Sequence, residues 1–235
     1  HHGISTAMVA LHEHNEQAQS KVLVRKLLSG QSIALISDAG TPAVSDPGSR
    51  LTRMAQEAEV KVVPIPGPSA LITAFCVSGF ESSRFLFYGF LPVTASARRR
   101  VLEEFKEFVY PLIFYEAPHR IQDCIADLGE VLGNRKIVIA RELTKFHENI
   151  VVLTLDEARH WLDADVNHKK GEFVLIVEGA PVRHDIDIKM ERIMSVLLET
   201  LSVREAVSIA LKLTGARKKD LYALALRFHQ KNDPV

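Results

Sequence analysis

Runs of apolar residues alternate along the first third of the chain with stretches in which apolar positions recur every three or four residues. Asn15 to Ser29 has a capped, helical pattern, with Asn15 at the N-cap and Gly30 just beyond its end. Ser32 to Ile36 is a short continuous apolar run, the pattern of a strand buried on both faces. From Asp46 to Ala58, Leu51, Met54, Ala55 and Ala58 fall on one helical face, with Asp46 as N-cap and Pro47 at the first helical position. Val60 to Ile65 reads as a strand, and Pro66-Gly67-Pro68-Ser69 opens a helix that runs through Val77. This α-β-α-β-α rhythm predicts a parallel sheet covered by helices.

A polar break from Ser78 to Ser83 precedes a second unit. Strands are predicted at Phe85 to Phe90, Leu112 to Tyr115, Ile137 to Ala140, Ile150 to Leu153 and Phe173 to Val177. Helices are predicted from Ser96 to Phe108 and from Pro118 to Leu132, the latter presenting Ile121, Ile125, Leu128 and Leu132 on one face. Thr154-Leu155-Asp156-Glu157 fits a capping box at the start of a further short helix. Little chain separates the strands near Ala140 and Ile150, so they form an antiparallel pair and this sheet is mixed. After a polar linker, Pro181 to Asp187, the pattern is all helical: Ile188 to Thr200, Ser202 to Leu213 and Ala216 to Phe228. Ser202-Val203-Arg204-Glu205 is a second capping box, and Gly215 stops the middle helix. The predicted organisation is residues 1–80 as an α/β subdomain, 81–181 as a second α/β subdomain, and 187–235 as a helical, helix-turn-helix-like domain.

Composition narrows this picture only modestly. The 235 residues carry 29 basic and 29 acidic side chains, so no global field draws the chain to nucleic acid or to an anionic membrane. Any such binding rests on local patches. No apolar run approaches the roughly 20 residues needed to span a bilayer, and no signal peptide is visible. Cys76 and Cys124 lie in apolar helical patterns and read as reduced core residues of a cytosolic protein.

Candidate chemistry gathers at strand ends. Ser37 to Gly48 is a loop of small residues at the carboxyl end of a strand, where open α/β sheets hold ligands. It leaves backbone groups open to close approach, and Asp38 and Asp46 add acceptors for hydroxyls or a cation. It lacks both the G-x-G-x-x-G and the G-x-x-x-x-G-K-[ST] patterns of the common nucleotide folds. Pro66 to Ala70 is a second rigid turn and makes an opposing lip. Phe114 to Arg120 and Ala140 to Lys145 put ionisable groups at two further strand ends, against the alternative of simple surface ion pairs. His12-Glu13-His14-Asn15-Glu16 has metal-like spacing without a third ligand group, and reads better as a polar loop before a capped helix; no metal is assigned. Basic clusters stand at Arg98-Arg99-Arg100, His168-Lys169-Lys170 and Arg217-Lys218-Lys219. The last opens a helix, where cations oppose the macrodipole. Phosphate binding would explain it, and the alternative is a solvated basic turn.

Ser37-Asp38-Ala39-Gly40-Thr41-Pro42 with Asp46-Pro47-Gly48, Pro66-Gly67-Pro68-Ser69-Ala70, Gly89-Phe90-Leu91-Pro92, Phe114-Tyr115-Glu116, Ala140-Arg141-Glu142-Leu143-Thr144-Lys145 and Lys170-Gly171-Glu172 together resemble the tetrapyrrole-methylase-like (class III) methyltransferases. Within them the resemblance is to the branch that methylates a ribose 2′-hydroxyl of a cytidine in 16S rRNA of the small ribosomal subunit. It implies two α/β units with S-adenosylmethionine between them, an rRNA or 30S-subunit substrate, a cytoplasmic location and a homodimer. Carried over residue by residue, it implies cofactor contacts from Asp38, Ala39, Gly40, Thr41, Pro42, Gly67, Pro68, Ser69, Ala70, Tyr115, Leu143, Gly179 and Ala180. Glu116, Glu142 and Lys145 are the candidates for activating the hydroxyl, and Arg98, Arg99, Arg100, Arg217, Lys218 and Lys219 for binding RNA. The family opens with a strand and a Thr-Pro-Ile-Gly-Asn loop, then a segment containing Glu-Asp-Thr-Arg. Neither precedes His1, so the expectation is a first unit short of one strand and one lip. Two other readings stay open: a methyltransferase acting on a small tetrapyrrole, which has no evident need of the basic tail, and a non-catalytic RNA-binding module, against which the two lips weigh.

Overall fold

The computed structural model describes the backbone of residues 3–181 and 185–232 and the side chains of 3–181 and 190–228. The chain divides into two compact units, His1–Ala180 and Pro181–Val235.

The first unit contains, in order, α1 (Glu16–Leu28), α2 (Ser49–Glu57), α3 (Ala70–Cys76), β1 (Leu86–Phe90), α4 (Ala95–Glu104), β2 (Leu112–Glu116), α5 (Ile121–Leu132), β3 (Lys136–Arg141), β4 (Asn149–Thr154), α6 (Leu155–Ala164), a 3-10 turn (Val166–Lys169) and β5 (Phe173–Val177). The five strands form one sheet in the order β1-β2-β5-β3-β4. β1 and β2 are parallel, and the other neighbours are antiparallel; the antiparallel β3–β4 pair is the one its short connection predicts. β5 and most of β3 are continuous apolar runs because both faces of the sheet are covered. On one face, Leu112, Phe114, Ile137, Ile139 and Leu175 pack with α4, α5 and α6. On the other, Ile113, Val138, Ala140, Val174 and Ile176 pack with Leu71 and Ala74 of α3. Thr154 accepts from Glu157 N while the Glu157 carboxylate accepts from Thr154 N, completing the predicted capping box.

The first third differs from expectation. Ser32 to Ile36 and Val60 to Ile65 form no ladder with any described segment, and Ile36, Val63 and Ile65 are exposed. A strand exists only where a neighbour pairs its N–H and C=O groups. Apolar content alone marked these segments, and no described segment lies in pairing position. What holds this region is α1 against α2, with Leu23, Val24 and Leu51 buried and Ile33 and Leu35 packed on them. The start of α2 is also capped differently. Its N-cap is Gly48 rather than Asp46, and Glu16 of α1 accepts from Gly48 N and Arg50 N at 2.9 and 3.1 Å. A carboxylate from another helix thus satisfies the orphan amides that a local cap would serve. Cys124 is buried as expected, but Cys76, at the end of α3, is exposed.

The second unit comprises α7 (Asp185–Leu198), α8 (Val203–Thr214) and α9 (Lys218–Asn232). Of the predicted linker, residues 182–184 lie outside the described residues, and Asp185 already begins α7. Met194, Ala206, Val207, Ala210, Leu221 and Ala225 make its small core. Ser202 and Glu205 form the predicted capping box, and Gly215 ends α8 in the left-handed conformation that favours glycine.

Candidate active site

The site is built where strand ends of the first unit meet the two small-residue turns. Registers place Glu116, Arg141 and Phe173 side by side across β2, β5 and β3, so Tyr115, Leu143 and Glu172 share one end of the sheet. Alternation along β2 then sorts its side chains. Tyr115 points to the face carrying Leu71, Val44 and Leu143. Glu116 points to the opposite face, toward α5.

The lips meet each other and this end of the sheet. Thr41 donates through Oγ1 to Pro68 O at 2.9 Å, and Ser37 Oγ lies 3.1 Å from both Ala39 O and Gly40 O, which folds the first loop on itself. Leu71 N–H donates to the Tyr115 hydroxyl at 3.3 Å. Burial pushes the Tyr115 phenol above its usual range, the Leu71 bond opposes the shift, and the nearby Asp46 carboxylate reinforces it. Phe87 and Phe90 both set their rings edge-on to Tyr115, at 4.9 and 5.7 Å. Two residues three apart share a face because β1 carries a bulge between Phe87 and Gly89, with Gly89 at φ +84°. A side chain at Gly89 would crowd Ser45 of the first lip. The bulge is therefore what lets the Gly89–Pro92 segment lie against the Ser37–Gly48 loop.

The three candidates for activating a hydroxyl separate sharply. Glu116 is buried on the wrong face. It accepts from Ala117 N at 2.9 Å and pairs with Arg120 at 3.1 Å, while Arg120 Nη2 donates to Leu91 O and Pro92 O at 2.5 and 3.2 Å. Glu116 thus anchors the Gly89–Pro92 turn and does not face the lips. This corrects its assignment as a base, because the alternation of β2 sends residue 116 away from residue 115. The Cys124 thiol beside it is pushed well up, first by burial and then by the Glu116 charge. Glu142 accepts from Lys145 Nζ at 2.8 Å and from Glu172 N at 2.9 Å. These bonds, the Lys145 one foremost, hold its carboxyl below the usual range, so it is a fixed anion. Lys145 also reaches Glu172 at 2.9 Å, and its ammonium is held charged by the two carboxylates. Lys145 is therefore held protonated and is not a free amine. Gly171, at φ +95°, allows this cluster: a Cβ there would collide with the Glu142 side chain. The arrangement was legible in Lys170-Gly171-Glu172, whose role sequence reasoning did not assign. Val44 and Phe87 were likewise not singled out as site residues.

Two further assignments change. Gly179 and Ala180 follow β5, which runs antiparallel to β2, so they lie at the opposite end of the sheet from Tyr115 and Leu143. Gly179 instead abuts the backbone of Val109 and Tyr110, and Ala180 N donates to Phe108 O at 2.7 Å. Arg98 is buried and pairs with Asp127 at 2.5 Å, so it cannot present its charge to a polyanion. Arg99 shares Asp127 and also reaches Glu130 at 2.8 Å. Arg100 is exposed. In the second unit, Arg217, Lys218 and Lys219 are exposed at the start of α9, with Arg217 held to Asp220 at 2.9 Å.

A mixed sheet with small-residue turns packed on one end, followed by a small helical unit, defines a class. Residues 1–159 match the family of tetrapyrrole (corrin/porphyrin) methylases, and residues 184–228 match the RsmI C-terminal HTH domain. The chain is 46% identical to ribosomal RNA small subunit methyltransferase I of Haemophilus influenzae over 98% of its own length and 83% of the relative's. It is 44% identical to the protein of the same name from Pseudomonas aeruginosa, covering 97% and 82%. Among solved structures, the methyltransferase CobJ aligns with a TM-score of 0.53 at 20% identity, covering 72% of this chain and 73% of CobJ. Diphthine synthase aligns at 0.53 and 17%, covering 77% and 72%. At that identity the two share the fold. The chain belongs to the tetrapyrrole methylases and, within them, to the ribosomal RNA small subunit methyltransferase I family.

Proposed function

We propose that this chain uses S-adenosylmethionine to methylate a ribose 2′-hydroxyl of a cytidine in 16S rRNA. The observation that carries the reading is the pairing of the methylase site with a basic helical unit that matches the HTH domain of the same family. Relatives at 43–46% identity bear the name of a small-subunit rRNA methyltransferase, which favours an rRNA substrate over a tetrapyrrole.

The residues present fit the cofactor. Asp38 offers a carboxylate to a ribose diol, the carbonyls near Ala39, Gly40 and Pro68 suit a sulfonium, and Val44, Leu143 and Tyr115 give apolar surface for a purine. Thr41, Pro42, Gly67, Ser69 and Ala70 shape the same lips. When bound, the cofactor supplies an electrophilic methyl carbon. The chain's part is to hold the hydroxyl in line with it and to exclude misaligned approaches. Lys145 supplies positive charge beside the hydroxyl as its proton leaves, and Glu142 positions Lys145. Solvent takes the proton. Arg99, Arg100, Arg217, Lys218 and Lys219 are assigned to the RNA backbone. The chain works in the cytoplasm as a homodimer, with 1–80 and 81–181 as the two parts of the cofactor-binding unit and 187–235 as the RNA-binding part.

Calorimetry with S-adenosylmethionine, followed by transfer of labelled methyl to 30S subunits, to naked 16S rRNA and to a porphyrinoid, tests this. Micromolar-class cofactor binding with label in rRNA supports it. Cofactor binding with label transferred only to a porphyrinoid would contradict it.

A further inference from the structure

Phe146 is the most exposed large apolar side chain among the described residues, at 96%. It sits in the β3–β4 connection, at the same end of the sheet as Tyr115 and Glu172. The connection is tightly built. Glu142 and Thr144 hold positive φ, +53° and +66°, a conformation that a β-branched residue such as Thr144 adopts only under constraint. Thr144 N donates to Glu148 Oε2 at 2.6 Å, Lys145 N to Glu142 O at 3.0 Å, and Glu148 N to Lys145 O at 3.0 Å. A tightly bonded loop whose aromatic ring meets the His147 ring edge-on at 5.0 Å and is otherwise turned to solvent forgoes most of the burial such a ring normally contributes.

The same loop is stapled to a basic one. Arg141, nearly buried, donates through Nη2 to His147 O at 3.1 Å, and through Nη1 to Asn167 O and Lys170 O at 3.1 and 3.2 Å. One guanidinium thus fixes the Phe146 loop beside His168-Lys169-Lys170. Within that run, Lys169 pairs with Asp163 at 3.0 Å, whereas Lys170 Nζ rests on the neutral Asn167 Oδ1 at 3.1 Å and keeps its charge unbalanced. The His168 ring stacks on Trp161 at 3.9 Å, nearly parallel, which anchors the run to α6.

We infer that the 144–148 loop and the 166–170 turn form one nucleobase platform. Phe146 stacks on an unpaired base of the substrate RNA, and Lys170 takes an adjacent phosphate. The inference rests on the proposed RNA methyltransferase activity and names the part of the site that grips the single-stranded target. An exposed aromatic ring on one loop and an unbalanced cation on the loop that Arg141 joins to it make the combination that single-stranded RNA binds, stacking on the ring and pairing charge with the backbone. A ribose methyltransferase needs such a grip, because an unpaired nucleotide must be held still for its hydroxyl to meet the methyl group.

Fluorescence anisotropy with a labelled single-stranded cytidine-containing RNA tests this, using wild type, Phe146→Ala, Phe146→Trp and Lys170→Ala, each alongside an RNA of the same length with abasic sites. Phe146→Ala should weaken binding of the intact RNA by about 5- to 140-fold, the loss expected from one stacked base, and leave binding of the abasic RNA unchanged. Phe146→Trp should restore affinity, with its fluorescence quenched by RNA. Lys170→Ala should weaken both RNAs alike. Equal binding of intact RNA by wild type and Phe146→Ala would overturn the inference. So would a loss accompanied by a change of sedimentation, which would place the ring against a second copy of the chain. A wild type that binds this RNA through Phe146 yet transfers no methyl group to 30S subunits or to 16S rRNA would sink the activity and leave the platform standing.

Discussion

Leu71 N–H and the Tyr115 hydroxyl are 3.3 Å apart, and this bond joins the first turn of α3, in the amino-terminal part of the chain, to the end of β2. It ties the second lip to the sheet that supports it. Tyr115→Phe removes the acceptor and leaves the amide without its partner. It should lower stability by about 1 kcal/mol and weaken S-adenosylmethionine severalfold, read by urea unfolding and by calorimetry. The sign of the pH effect follows from the raised phenol. The folded state holds the proton more tightly than the unfolded one, so the contribution is complete below the ordinary tyrosine range and is lost as pH rises through it. The wild type should lose stability on this alkaline limb, and Tyr115→Phe should lose less.

Asp127 is shared by the buried Arg98 and the half-exposed Arg99. Asp127→Ala leaves the Arg98 charge buried without its partner, and urea unfolding should record a loss of about 3–5 kcal/mol. Arg100→Ala, on the exposed side of the same helix, should stay within about 0.5 kcal/mol of wild type.

Gly179 lies at the far end of the sheet from the lips, against the Val109 carbonyl. Gly179→Ala should lower the midpoint of thermal unfolding, with overpacking of about 1–3 kcal/mol. The folded fraction should bind S-adenosylmethionine as wild type does. A selective loss of cofactor affinity without a loss of stability would return Gly179 to the site.

These cases show which parts of the molecule were legible in the sequence. The strands of the mixed sheet could be read because β3 and β5 are apolar throughout, and the β3–β4 hairpin because its connection is too short for a crossover. Both capping boxes were plain in Thr154–Glu157 and Ser202–Glu205, where the interaction is local. Ser32–Ile36 and Val60–Ile65 misled because an apolar run encodes burial, while a strand also needs a partner that no local pattern names. Glu116 misled for a related reason: adjacency to Tyr115 in sequence puts it on the opposite face in a strand. Arg98 looked like its neighbours until the helix turned it inward to Asp127, 29 residues away. The bulge at Gly89, which carries Phe90 round to Tyr115, was hidden because only the register across β1 and β2 reveals it.

Lys218 and Lys219 stand exposed at the start of α9. Replacing both with alanine should reduce the salt dependence of RNA binding by about 0.7 in log–log slope for each phosphate no longer neutralised, measured by titration across a series of salt concentrations. Cofactor binding in the first unit should not change.

Methyl transfer to a ribose hydroxyl of small-subunit rRNA leaves a chemical signature in the product. The most direct measurement labels 30S subunits with methyl-labelled S-adenosylmethionine, hydrolyses the recovered 16S rRNA in alkali and identifies the labelled product. A 2′-O-methyl group blocks cleavage at its own nucleotide, so label should appear in an alkali-resistant dinucleotide whose 5′ residue is methylcytidine. Label released as a single base-methylated nucleotide, or no label in rRNA although the cofactor binds, would contradict it.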